Sequence, residues 1–193
     1  HIHRLQPYQV SDIKIQSNQT IVCGDGEPIQ AKILIAADGT HSFVRSKLGI
    51  AFDEKQYQQT AIVGSIDTED YHQYTAYERF TEHGPLALLP RAGNRCGFIW
   101  MNPCSVAEKH LTLSDKGFLD RLQHAFGYRL GHISNLGQRF TYPLSLLVSQ
   151  QRVQQRTVLV GNAAQTLHPI AGQGLNLALR DIAELSEILV ANE

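Results

Sequence analysis

The chain is 193 residues long, enough for one large domain or parts of two. Seventeen Lys and Arg against eighteen Asp and Glu give a formal net charge of -1, so no broad cationic field is present and a nucleic-acid partner is disfavoured. No apolar run of about twenty residues occurs, so the chain reads as soluble without a membrane-spanning helix, and no signal peptide opens it.

In chain order, Ile13 and Ile15 alternate with polar residues, Ile21 and Cys23 continue after a turn, and Gly24-Asp25-Gly26 marks another, which predicts a small antiparallel meander. Residues 33–37, Ile-Leu-Ile-Ala-Ala, are apolar without a break, as expected for a strand covered on both faces in a parallel sheet. That strand ends at Asp38-Gly39, and Ser42 is placed to cap a short helix closed by Leu48-Gly49. Residues 60–66, 74–80, 86–89 and 96–101 read as strands of a mostly antiparallel sheet. Ser105 to Glu108 has the spacing of a capping box, and Phe118, Leu122, Ala125 and Phe126 form the apolar stripe of a second helix that stops at Gly127. A strand returns over 140–148, and the polar residues 150–156 read as a link.

The link leads to the most informative stretch. Val158, Leu159 and Val160 form a short buried strand ending at Gly161, and Pro169, Gly172 and Gly174 hold off regular structure until Leu175, Leu179, Ile182, Leu185 and Leu189 recur at helical spacing. A glycine-rich loop before a helix leaves backbone N–H groups unpaired, and they and the macrodipole favour an anion or an electron-rich carbonyl. Gly174 is read as the position that opens the helix, where a branched side chain would push the backbone away from a ligand.

Cys23, Cys96 and Cys104 are odd in number and lack a C-x-x-C pair, so neither a disulfide framework nor a zinc site is indicated, and a reducing cytoplasmic setting fits. Of nine histidines only His1 and His3 have ligand-like spacing, a weak basis at a chain end, and no metal is expected.

As a string, G-N-A-A-Q-T-L-H-P-I-A-G-Q-G-L-N followed by Asp181 resembles the second FAD motif of the flavoprotein aromatic hydroxylases, G-D-A-A-H, then P-x-x-G-x-G-x-N and a helix carrying Asp. Gly161, Ala163, Ala164, Pro169, Gly172, Gly174, Asn176 and Asp181 keep that register, while Asn162 stands where the family has Asp and Gln165 where it has His. Asp38-Gly39-Thr40-His41-Ser42-Phe43-Val44-Arg45 resembles the D-G-x-x-S-x-x-R motif of the same family, and Gly84-Pro85-Leu86-Ala87-Leu88-Leu89-Pro90 is similar to a strand of its substrate domain. Within the family the chain looks most like the branch that hydroxylates polyprenyl-methoxyphenols in ubiquinone biosynthesis.

The resemblance implies a mixed α/β chain: residues 1–50 and 153–193 as remaining parts of an FAD-binding α/β domain, and residues 51–152 as a mostly antiparallel sheet substrate domain. It implies a monooxygenase using FAD, NAD(P)H as reductant and molecular oxygen on a polyprenylated phenol. Association with a biosynthetic complex, or peripherally with the inner membrane, would suit such a substrate in a cytoplasmic protein. Asp38, Gly39, Arg45, Gly161, Asn162, Gly172, Gly174, Leu175 and Asn176 would contact cofactor, and His168 and Pro169 would border the oxygen-reacting side, with His168 relaying a proton. Plainer readings stand beside these: Asp38-Gly39 as an ordinary turn, Arg45 as a solvated helix charge and His168 as a loop histidine in solvent. A flavin-dependent reductase of isoprenoid double bonds, and a non-catalytic scaffold in which Asn162 marks lost flavin affinity, are the competing functions. The chain starts at His1 inside a strand-like pattern, and no G-x-G-x-x-G follows a strand near its start. The expectation is therefore a fragment that holds FAD weakly or not at all.

Overall fold

A computed structural model describes residues 2–192, so the His1 and His3 pair falls partly outside the described residues. The meander forms as expected from β1 (Val10–Ile15), β2 (Thr20–Gly24) and β3 (Ile29–Ala31), with Ile13 opposite Val22 and both buried. β4 (Leu34–Ala36) leads into α1 (Phe43–Lys47), and the long β5 (Phe52–Thr68) begins a second sheet with β6 (Tyr77–Thr81), β7 (Gly84–Pro90) and β8 (Arg95–Pro103). Two helices follow, α2 (Cys104–Leu111) and α3 (Asp115–Phe126), then β9 (Ile133–Ser134) and β10 (Phe140–Ser149). The chain closes with β11 (Val153–Gln154), β12 (Thr157–Leu159), β13 (Gln165–Thr166) and α4 (Gln173–Ala191), with single 3-10 turns at Gly161–Ala163 and Ile170–Gly172. These elements form two units, His1–Lys55 with Leu146–Glu193, and Gln56–Ser145.

In the second unit the strands lie in the order β10-β5-β8-β7-β6, antiparallel from β5 to β6, with β9 on the end of β5. Register puts Ile62 and Leu86 on either side of Trp100, Leu88 beside Phe98 and Ile66 beside Cys96. All seven side chains face α2 and α3, where Ala107, Phe118, Leu122 and Phe126 complete one core. Each fully buried Leu, Ile or Phe there contributes about 1.5–3 kcal/mol. Gly64 stands opposite Phe98, and a Cβ on it would lie 2.7 Å from the ring, so this glycine is the space the ring fills. On the other face Ala61, Met101 and Leu144 make a smaller cluster with Tyr57 and Ile99. Strand alternation therefore directs Leu86 and Leu88 under the helices, and Ala87 and the exposed Leu89 to the opposite face.

Four expectations need correction. The strand predicted from residue 74 starts at Tyr77, because the buried His72 ties a tight turn: its Nδ1 accepts the Tyr74 N–H (3.0 Å), its Nε2 lies 2.9 Å from the Arg91 carbonyl, and Gln73 and Tyr74 take φ of 49° and 58°. The capping box at Ser105 does not form, since β8 runs straight into α2 with Pro103 at the N-cap and Ser105 already in the first turn. The polar link carries β11, folded onto β12 by a turn at Gln155 (φ 51°). Finally, β4 pairs in parallel with β12 but is covered on one face only. Leu34 and Ala36 pack with Ile13, Val44, Ile50 and Leu159, whereas Ile35, on the opposite face, is 46% exposed. The helix α4 repeats this: its apolar spacing is as read, yet none of its side chains is buried among the described residues. No helix among the described residues is long and apolar enough to cross a membrane.

Candidate functional site

β4 and β12 lie side by side in register, Leu159 beside Ala36, and the Val160 N–H donates to the Ala36 carbonyl at 2.9 Å. Both strands thus end together, and each releases one of the two motif loops at its carboxyl end, where open α/β sheets place ligands. The order of the chain separates these loops by more than a hundred residues; the parallel pairing returns them to one edge.

In the first loop Asp38 and Ser42 share the start of α1: Asp38 Oδ2 accepts the Val44 N–H and Ser42 Oγ accepts the Arg45 N–H, both at 3.0 Å. These two acceptors satisfy N–H groups that a five-residue helix cannot pair internally. Arg45 is then held inward, only 4% exposed, which removes the reading of a solvated charge. Its Nη1 donates to the Ala163 carbonyl (2.9 Å), its Nη2 to the Thr40 carbonyl (2.7 Å), and its guanidinium lies 4.6 Å from the centre of the Phe52 ring. One side chain of the first motif therefore grips the backbone of the second. A second link joins Thr40 Oγ1 to Thr166 Oγ1 at 2.9 Å. Gly39, at φ 83°, lies at this turn with open space where a Cβ would stand.

The second loop is anchored from below by the end of β10, whose Leu147 and Val148 pair with Thr166 and Gln165 in β13. Ser149 N–H donates to the Ala164 carbonyl and Ser149 Oγ to the Ala163 carbonyl. Gln165, the departure from the motif, has a partner of its own: Arg152 Nη2 donates to Gln165 Oε1 (2.7 Å) while Arg152 Nη1 pairs with Asp181 Oδ2 of α4 (2.9 Å). Arg152 therefore ties the loop to the helix. Gly161 begins the loop, and the Asn162 side chain is exposed. Thr40, Phe52, Arg152 and Thr166 were not singled out from sequence; an arginine in the linker just before the motif was the one available signal.

At the start of α4 the special conformation belongs to Gly172, which is left-handed at φ 61° and ψ 27°. Gly174 lies inside the first helical turn with no positive φ, so the left-handed position falls two residues before the one read as opening the helix. Cβ positions on Gly172 and Gly174 both meet open space. Among the described residues no side chain caps the start of this 19-residue helix, no acidic residue lies in its first turn, and Gly174, Leu175 and Asn176 are exposed. Its first N–H groups and positive dipole end are thus open to solvent.

His168 and Pro169 lie between β13 and the turn that delivers Gly172. Burial pushes the His168 imidazole below its usual range, so it is neutral at pH 7. Since the folded value is the depressed one, the stability that His168 contributes is present above about pH 6.5 and is lost as pH falls through the folded value. Replacing His168 with Gln should flatten the acid side of the melting-temperature profile, measured by circular dichroism from neutral to acid pH.

Residues 13–193 match the family described as FAD binding domain. The chain belongs to that family. As an FAD binding domain it is 41% identical over 167 residues to a ubiquinone hydroxylase of Rhodospirillum rubrum, covering 86% of this chain and 39% of that protein. It is 34% identical over 165 residues to the 3-demethoxyubiquinol 3-hydroxylase of Escherichia coli, covering 86% of this chain and 42% of that one. The chain thus spans about two fifths of the length of these relatives. Its fold is shared with a solved probable FAD-dependent monooxygenase of Pseudomonas aeruginosa, at a TM-score of 0.75 and 19% identity over 93% of this chain and 52% of that one. The residues present fit FAD: an uncapped helix start, three glycines with open Cβ positions and two loops joined at one sheet edge give a flavin ring and its sugar-like chain room and donors.

Proposed function

We propose that this FAD binding domain serves an FAD- and NAD(P)H-dependent monooxygenase that hydroxylates a polyprenylated phenol in ubiquinone biosynthesis, with molecular oxygen as co-substrate. The observation that carries the reading is the junction of the two motifs through Arg45, beside the open start of α4. The ubiquinone hydroxylases among its relatives support the substrate class. When bound, FAD supplies the redox and oxygen chemistry; the chain's own residues bind, orient and balance charge.

In this reading the amides of Gly174, Leu175 and Asn176 stabilise negative charge on the ring, and Gly172 and Gly39 let backbone approach it. Arg45 holds the two loops in register, and Asn162 hydrogen-bonds the cofactor's sugar-like chain. Neutral His168 offers a nitrogen that can accept a proton, and Pro169 fixes the chain beside it. On the sheet unit, the face carrying Ala87, Leu89 and Ile99 suits an isoprenoid tail, whereas Leu86, Leu88 and Met101 are committed to core clusters. A lipid-tailed substrate favours a cytoplasmic protein peripheral to the inner membrane.

Asn162→Asp should leave flavin affinity intact or tighten it by up to about fivefold, since an ionised acceptor makes a hydrogen bond stronger by roughly 1 kcal/mol than a neutral amide. Flavin fluorescence titration of the parent and variant reads this directly, and a variant that binds FAD more weakly would contradict the assigned contact. For activity, the aligned 167-residue segment can replace its counterpart in the Rhodospirillum rubrum hydroxylase. The chimera should bind FAD and hydroxylate a polyprenyl-methoxyphenol only with NAD(P)H and oxygen. Reduction of isoprenoid double bonds without oxygen would favour the reductase, and a colourless, folded chimera would favour the scaffold.

A further inference from the structure

The sheet unit holds a cavity of about 460 Å³ at β6, the turn after it, β8, α2 and α3. Arg79, His83, Trp100, His110, Arg121 and His124 line it, and Glu82 is the one acidic residue on the described wall. The Glu82 carboxylate is nearly all in solvent and reaches only to 3.9 Å from His83 Nδ1, so it leaves the Arg79 and Arg121 charges without a balancing carboxylate. Two buried polar atoms among the lining side chains are also unsatisfied. Trp100 is 4% exposed, and its indole N–H has no acceptor among the described residues. His110 stacks on the indole at 4.3 Å between ring centres, and its buried Nδ1 likewise has no partner.

Folded proteins leave few buried donors unpaired, because such a donor has surrendered its hydrogen bonds to water. Arg79 commits one N–H to the Phe126 carbonyl at 2.6 Å and retains its others, and no ion pair holds Arg79 or Arg121 among the described residues. Burial, helped by the charges of Arg121 and His83, pushes the His110 imidazole below its usual range, which is the response expected in a positive field. A single carboxylate would balance one guanidinium; two guanidiniums with an indole N–H and histidine donors suit an oxyanion of higher charge with several acceptor oxygens.

We propose that this cavity binds a phosphate group, carried by a soluble phosphate compound or by a lipid headgroup. The site stands on residues that take no part in the flavin reading, so the two fail or stand separately.

Trp100 is the chain's single tryptophan, so the emission comes from one indole at the wall of the cavity. Titration of the chain with inorganic phosphate should change that emission saturably, while sodium chloride at equal ionic strength does not. Arg121→Gln, on an exposed position of α3, should weaken phosphate at least tenfold without changing the melting temperature. Lys116→Gln removes the same charge from α3 away from the cavity and should leave binding unchanged. A second arm uses phosphatidylcholine vesicles with and without phosphatidic acid. Binding to the acidic vesicles that needs Arg121 and is competed by phosphate identifies a lipid source; phosphate binding with no vesicle binding identifies a soluble one. No saturable Trp100 response in either arm, or equal weakening by Lys116→Gln and Arg121→Gln, would overturn the proposal.

Discussion

Replacing Gly172 with Val should lower stability by about 2 kcal/mol and abolish flavin binding in an FAD-loaded relative carrying this segment. The cause is backbone conformation, since a Cβ at Gly172 would meet nothing within 4 Å. At φ 61° an L-residue pays about 1–2 kcal/mol, and a β-branched side chain is a true outlier there. To escape that penalty the chain must change course where the 3-10 turn hands over to α4, which rotates the first N–H groups of the helix. Gly174→Val makes the informative contrast. Its backbone is helical and its Cβ meets open space, so stability should stay within a few tenths of a kcal/mol or rise slightly. Flavin affinity should nevertheless fall, because the added methyl groups occupy space assigned to the ring. Thermal melts and flavin titrations on both variants separate the two effects; equal melting temperatures for Gly172→Val and the parent would contradict the conformational argument.

Arg45→Leu should cost about 3 kcal/mol or more, the loss of two charged hydrogen bonds to carbonyls in a buried position together with the contact to Phe52. Leucine roughly keeps the apolar stem but leaves the Thr40 carbonyl without this donor. Arg45→Lys should recover little, because one ammonium cannot fork to carbonyls of two loops as the planar guanidinium does. For a chain of this size each kcal/mol is worth roughly 2–4 °C, so a fall near 10 °C is expected by calorimetry. A lysine variant that melts with the parent would show that charge alone, and not the fork, joins the loops.

The mixed α/β fold was legible in sequence because periodicity changes where structure changes. Ile13 and Ile15 alternate, Phe118 and Leu122 recur at helical spacing, and Gly127 stops α3 at a φ of 87°. Ile35 was misread for a physical reason: an unbroken apolar run reports the surroundings for which a strand was selected, and only one side of β4 is covered among the described residues. The motif glycines located the second loop, but spacing alone could not tell which of Gly172 and Gly174 takes the left-handed conformation. Least legible were the ties between loops. Thr40 and Thr166 are 126 positions apart, and Arg152 lies in a stretch that reads as a plain linker, so neither bond leaves a periodic trace.

In the proposed function the loop at Asp38 and the start of α4 form one flavin-contact surface. Amide chemical-shift mapping on the isotope-labelled chain during titration with FAD tests it most directly, because weak contacts still displace resonances. The amides of Gly39, Thr40, Asn162, Gly172, Gly174, Leu175 and Asn176 should move together along one binding curve. Perturbations that spare both loops, or that involve one loop and leave the other unmoved at saturation, would contradict it.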